Sequence, residues 1–283
     1  MKLGLVLEGG ASRTYFSVGA MDALMEENIY ADYVIGASAG IANGVSYVSR
    51  QKGRSLEIGM KYFPDKRYMG ARHMLNRSNK SYYNIKFVFD DMPNIHLPFD
   101  YETYKKYSKN VYAAVTNLST GKCEYINVPG DDKSWAILIA TCALPILFQP
   151  VKIGSSLYMD GGITDSVPID KAITDGCDKN LVILTREKDY VKKEEPAIKL
   201  AALKYHKYPL FAQALKTRTE NYNRSHRRLL ALEKEGKAFI ISPKKTSDWH
   251  RTESSPVKLK EMYDDGFLFV KQNIDKIRAY AAR

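Results

Sequence analysis

Tyr33-Val34-Ile35-Gly36-Ala37-Ser38-Ala39-Gly40 sets a G-x-S-x-G pattern directly after a short apolar run and ahead of small residues that can open a helix. A serine between strand and helix stands on a sharp turn that raises its hydroxyl above the end of a sheet, the geometry of a nucleophile elbow. Gly36 and Gly40 flank it because the strand end packs tightly on the helix start, where a Cβ would clash. The helix N-terminus favours negative charge developing beside the serine. Ser38 lies early in the chain, with one strand and one helix before the strand that carries it.

Working outward, residues 3–7 read as a buried strand, 8–13 as a glycine-rich loop, and 14–27 as a helix with Phe16, Val18, Met21, Leu24 and Met25 on its apolar stripe. Residues 33–35 form the second strand and 39–49 the helix after the elbow. Strand, helix, strand, helix predicts parallel strands with right-handed crossovers, and ligands bound beyond their carboxyl ends, where both loops lie. Residues 50–100, broken by Pro64, Pro93 and Pro98, read as helices and loops forming a cap. Further strands are expected at 111–116, 123–127, 158–159, 180–185 and 238–241. Helices are expected at 134–142, across most of 197–235, and as one long closing helix at 256–282. No linker divides the chain, so residues 1–283 are expected to form one α/β domain, with a helical C-terminal part at 197–283.

Composition fits a soluble protein, with 45% hydrophobic and 27% charged residues. The opening apolar run is too short for a signal peptide, and no stretch approaches the roughly 20 residues of a membrane span. Cys123, Cys142 and Cys177 are few and lack metal spacing, which points to a reducing, cytoplasmic setting. The net charge of +11 is concentrated. Residues 50–80 hold nine Lys/Arg against Glu57 and Asp65, and 199–237 hold ten against Glu220, Glu233 and Glu235. Aromatics interleave both segments, a pattern that suits an anionic membrane surface or nucleic acid.

Acyl transfer requires a nucleophile, a base and donors for the oxyanion. Ser38 supplies the first, and Gly9-Gly10-Ala11-Ser12-Arg13 offers free backbone N–H groups at a helix start. That loop matches neither a dinucleotide fingerprint nor a P-loop. None of the five histidines, His73, His96, His206, His226 and His250, stands at a strand end or in a glycine turn. Asp160 does, between Leu157-Tyr158-Met159 and Gly161-Gly162, and partial burial would raise its basicity.

Taken together, Glu8-Gly9-Gly10-Ala11-Ser12-Arg13-Thr14, the Ser38 elbow and Asp160-Gly161-Gly162 resemble the patatin-like phospholipase family. Ala140-Thr141-Cys142-Ala143-Leu144-Pro145, Phe148-Gln149-Pro150 and Asp165-Ser166-Val167-Pro168 add to the likeness, which covers about residues 3–185. The resemblance implies a three-layer α/β/α fold with a mostly parallel central sheet, and lipid acyl hydrolysis by a serine–aspartate dyad without histidine or cofactor. It assigns Ser38 as nucleophile, Asp160 as base, the backbone of Gly9, Gly10 and Ala11 as oxyanion hole, and Arg13 as support for the loop. The family loop usually reads G-G-G-x-R-G, and Ala11 and Thr14 depart from it. If the third position needs positive φ, alanine costs about 1 kcal/mol there. Asp165 is taken as structural.

Two other readings compete. An α/β-hydrolase triad would pair Ser38 and Asp160 with His206, His226 or His250. A catalytically weak basic protein would bind membrane or nucleic acid on the same scaffold. The expected partners are a lipid or fatty-acyl ester and an anionic membrane surface, met peripherally, without metal and without nucleic acid.

Overall fold

Leu3, Leu5 and Leu7 enter one apolar core and Val6 enters another. Successive strand side chains point to opposite faces, so this alternation demands helices on both sides of the sheet. The computed structural model describes residues 1–282. In it, β1 (Leu3–Leu7) leads through the glycine loop to α1 (Tyr15–Glu26), then to β2 (Tyr33–Ala37) and α2 (Ala39–Val48). The segment 50–100 contains α3 (Arg54–Lys61), α4 (Ala71–Leu75) and a π-helical stretch at Phe87–His96 around Pro93, and α5 (Tyr101–Tyr107) follows it. Then come β3 (Val111–Asn117), β4 (Cys123–Asn127), α6 (Ala136–Thr141), the hairpin β5 (Val151–Ile153) and β6 (Ser156–Asp160), and α7 (Ile169–Thr174). β7 (Lys179–Ile183), α8 (Pro196–Lys204), α9 (Pro209–Lys234), β8 (Ala238–Ile241), α10 (Pro256–Gln272) and α11 (Ile274–Ala281) complete the chain.

The three expected layers are present. One core joins the sheet to α1, α2 and α10 through Phe16, Ile41, Leu259 and Met262; the other joins it to α7 and α9 through Ile169, Ala172, Leu229 and Leu232. The sheet runs β5-β6-β3-β2-β1-β7-β8, with β4 also on β3. The strands β3-β2-β1-β7-β8 are parallel, and β4, β5 and β6 join as antiparallel additions at one end.

That antiparallel end positions the candidate site. β2 pairs with β3 up to Ala37 opposite Ala114, and β6 pairs with it from Asp160 opposite Val115. β4 occupies the other side of the same residues, Ala114 opposite Tyr125 and Val115 opposite Glu124. The two strands therefore share one edge of β3 and meet end to end, bringing the residue after Ala37 beside Asp160.

The closing helix expected over 256–282 divides at Asn273. Its side-chain amide donates to Phe269 O at 2.9 Å, competing locally with the helical ladder. Among the described residues no helix is long and apolar enough to cross a membrane.

The C-terminal segment is built into this core. β8 extends the sheet beside β7, and α10 crosses α1 at glycines on both helices. A Cβ on Gly266 would lie 1.9 Å from Phe16 O, and one on Gly19 1.9 Å from Tyr263 O. Gly266→Ala is expected to force the helices apart and to cost about 1–3 kcal/mol in urea unfolding. A change below 0.5 kcal/mol would show that the crossing is loose.

Candidate active site

Ser38 stands between β2 and α2 at φ 53° and ψ −139°, a conformation that an L-residue holds only under external restraint. The restraint is visible. Ser38 N–H donates to Thr141 Oγ1 at 2.8 Å, and that hydroxyl donates to Ala114 O at 2.6 Å, at the seam between β2 and β6. The elbow glycines are imposed by close backbone approach, since a Cβ on Gly36 would lie 2.8 Å from Leu7 O and one on Gly40 2.5 Å from Glu8 O. Thr141 was not foreseen as a holder of the elbow; its sequence stretch marks the place, but the use of its hydroxyl depends on where α6 ends.

Asp160 ends β6, is 2% exposed, and its N–H donates to Ala143 O at 3.0 Å. Its Oδ1 accepts the Gly162 N–H at 2.7 Å, whereas Oδ2 is buried without a hydrogen-bond partner among the described residues. Gly161 must be glycine, because a Cβ would sit 2.0 Å from Ala114 O. Burial raises the Asp160 pKa above the ordinary carboxylate value, opposed first by the Ser38 hydroxyl, then by the Gly162 N–H and by Arg218 and Arg251. The hydroxyl thus lies close enough to favour the carboxylate, while the geometry stops short of a completed bond to Oδ2.

No histidine among the described residues lines either cavity around Ser38. His226 is buried with Nε2 2.6 Å from Lys188 O, and His206 Nδ1 lies 3.0 Å from Leu203 O. The histidine triad is therefore not assembled. Cys142 lines the cleft beside Ser38, but burial pushes its thiol well above its ordinary value, which disfavours a competing thiolate.

In the glycine loop, Ser12 N–H is taken by Arg251 O at 3.1 Å and Arg13 N–H by Gly10 O at 3.2 Å. The N–H groups of Gly9, Gly10 and Ala11 have no acceptor among the described residues, and these residues line a pocket with Ser38 and Asp160. Ala11 adopts φ 51°, the left-handed conformation that its departure from glycine made a concern. The Arg13 guanidinium is buried, makes no hydrogen bond to another described residue, and faces the adjoining pockets. The hydrogen bonds that hold the loop are those of Glu8, which accepts Tyr222 Oη–H at 2.7 Å and Thr185 Oγ1–H at 3.0 Å, and of Glu253 O, which accepts Ser12 Oγ–H at 2.8 Å. Asp165 lines neither cavity around Ser38 and accepts the Tyr125 hydroxyl at 2.8 Å.

Ser38, Ala11 and Leu144 separate two cavities of opposite character. One is an open cleft walled by the cap segment and α6, including Ile58, Phe63, Phe89, Met92, Phe99 and Leu138. The other is a smaller pocket holding Asp160, the loop backbone, Arg13, Arg218 and Arg251. Sequence reasoning missed Arg218, counted only as one of the ten basic residues of 199–237, and Arg251, which lies outside both basic segments.

A family model described as patatin-like phospholipase matches residues 5–173. The chain belongs to the patatin-like phospholipase family. A second model, a domain of unknown function (DUF6363), matches residues 208–282. The protein YjjU of Escherichia coli K12 is 23% identical over 188 residues, covering 65% of this chain and 51% of that protein. Lysophospholipase nte1 of Aspergillus niger is 26% identical over 172 residues, 59% of this chain and 11% of that protein. The chain thus spans about half the length of the first relative and about a tenth of the second. Among solved structures, VipD from Legionella pneumophila aligns over 96% of this chain and 67% of its own, with 14% identity and a TM-score of 0.43.

Ala11→Gly removes the left-handed strain and is expected to stabilise the protein by about 1 kcal/mol in denaturant titration. A loss of stability would mean that the Ala11 methyl contributes packing that outweighs the strain.

Proposed function

We propose that this protein is a lipid acyl hydrolase with Ser38 as nucleophile and Asp160 as base. The observation that carries the reading is the convergence at the β2–β6 seam. A strained serine there stands next to a buried carboxylate with an unpartnered oxygen, at the boundary of an apolar cleft and a polar pocket. Membership in the patatin-like phospholipase family supports it. Asp160 accepts the hydroxyl proton as Ser38 Oγ attacks the ester carbonyl, and the N–H groups of Gly9, Gly10 and Ala11 receive the oxyanion. Return of the proton to the departing alkoxide leaves an acyl-Ser38 ester. Water, deprotonated by Asp160, then releases the carboxylic acid and restores the serine. The apolar cleft takes the acyl chain, and the cap segment 50–100 serves as its wall.

Ser38→Ala is expected to abolish ester hydrolysis, and Asp160→Asn to lower kcat by roughly 10²–10⁴, since an amide accepts no proton. Replacing each histidine separately should cost less than fivefold. A thousandfold loss on removing one would restore the triad. Asp160 acts only when ionised, so the acid limb of kcat/KM should lie above the value of about 4 of a free aspartate. A limb at or below 4 would contradict a base in this buried position.

The enzyme works at a membrane surface in this reading. α8 exposes Leu200 at 60% and Leu203 at 69%, and Leu210 follows at 57%. Exposed Lys199, Lys204 and Lys207 surround them, and Ala201, Ala202 and Tyr205 pack the helix into a cluster with Phe148 and Leu144 of the cleft wall. Such a face inserts leucines while each lysine gains about 1 kcal/mol at an anionic surface. Co-sedimentation with anionic vesicles should weaken as salt rises and fall severalfold in Leu200→Glu/Leu203→Glu. Equal partitioning onto neutral and anionic vesicles would refute the surface.

A further inference from the structure

Behind the glycine loop the polar pocket continues into a second small space, and the two share Gly9, Arg13, Ser166, Arg218 and Arg251. Arg186, Lys192, Glu8, Tyr190 and Tyr222 complete the walls. Glu195 accepts from Lys192 at 2.6 Å, Arg218 at 3.2 Å and Arg251 at 2.7 Å, so one carboxylate serves three cations. Arg186 Nη1 donates to Thr246, to its hydroxyl at 2.6 Å and its carbonyl at 3.2 Å. Arg13 is 5% exposed, and its Nε is buried with no hydrogen-bond partner among the described residues. Glu187 accepts from the same Thr246 that holds Arg186, so five cations face four carboxylates, Glu8, Asp160, Glu187 and Glu195, which leaves an excess of one positive charge. The crowding is felt by the bases themselves. Burial, followed by Arg186 and Arg251, lowers the Arg13 pKa to about 10, and burial, followed by Arg218, lowers Lys192 to about 8.

Burying like charges is costly unless an anion joins them. We infer that Arg13, Arg186, Lys192, Arg218 and Arg251 form a phosphate-binding pocket that holds a phosphomonoester on the substrate while Ser38 attacks its acyl ester. A phosphomonoester carries about two negative charges near neutral pH, enough to offset the excess. Guanidinium groups suit its oxygens because they bond them in pairs. The pocket opens at Ser38 on the side away from the apolar cleft, so a single molecule spans both, with acyl chain one way and phosphate the other. Arg218 and Arg251 lie within residues 208–282, so the segment matched to a domain of unknown function would complete the head-group end of the site. The inference rests on the hydrolase reading above and names its substrate class.

The test compares kcat/KM for a 1-acylglycerol 3-phosphate, the 1-acylglycerol of the same chain, and the corresponding phosphocholine diester. The phosphomonoester should be preferred at least tenfold over both. Arg251→Gln and Arg218→Gln should each reduce that preference tenfold or more, mainly through KM, and Arg251→Lys should recover part of it. Equal losses on all three substrates would indicate mere structural support and overturn the inference, as would the absence of any preference in the wild type. Inorganic phosphate should inhibit phosphomonoester hydrolysis competitively. If it instead accelerates 1-acylglycerol hydrolysis, the pocket takes a free regulatory anion and the substrate assignment falls. Calorimetric titration of inorganic phosphate into Ser38→Ala reads the pocket without turnover. Phosphate binding there, with no hydrolysis of any ester by the wild type, would overturn the Ser38 mechanism and not the anion site. Hydrolysis without phosphate binding would overturn the anion site alone.

Discussion

The edge of β3 is the constraint on which the site depends. A strand edge has one row of backbone groups, and here β2 uses its first half and β6 its second. Their ends cannot meet without bringing Ser38 and Asp160 together. Thr141 ties the seam by accepting from Ser38 N–H and donating to Ala114 O, so the strained serine turn and the shared strand belong to one hydrogen-bonded unit. A buried N–H left without its acceptor costs about 1–3 kcal/mol, a large part of what holds a left-handed serine in place.

Much of this was legible in the sequence because short-range rules govern it. A short continuous apolar run marked the strand at 3–7, the 3.6-residue stripe placed α1 close to its observed limits, and glycines marked the two places where backbones approach within a Cβ radius. Ser38 and Asp160 were identifiable for the same reason, each standing at a strand end beside glycine. What was not legible depends on long-range register. The hairpin of β5 and β6, the end-to-end meeting on β3 and the role of Thr141 all require knowing which strands pair. The break at Asn273 turned on a side chain choosing a carbonyl one turn back, which periodicity does not report.

The charges show the same division. The excess of basic residues in 199–237 is plain in the sequence, but only the fold separates those left in solvent from those drawn inward. Lys199, Lys204 and Lys207 remain exposed around the leucines of α8, while Arg218 is drawn to Gly162 O and Glu195. Arg251 acts twice, its carbonyl holding Ser12 of the glycine loop and its guanidinium paired with Glu195. The C-terminal segment therefore reaches the candidate site from two directions, through the loop and through the pocket behind it.

The most direct measurement of the central claim is the rate of covalent modification by a fluorophosphonate across pH, with the adduct mapped by mass spectrometry. The account predicts one adduct, on Ser38, formed at a rate that rises through a single ionisation above the ordinary aspartate range. It also predicts that the rate collapses in Asp160→Asn at every pH. An adduct on another residue, or an Asp160→Asn protein that reacts as fast as the wild type, would contradict it.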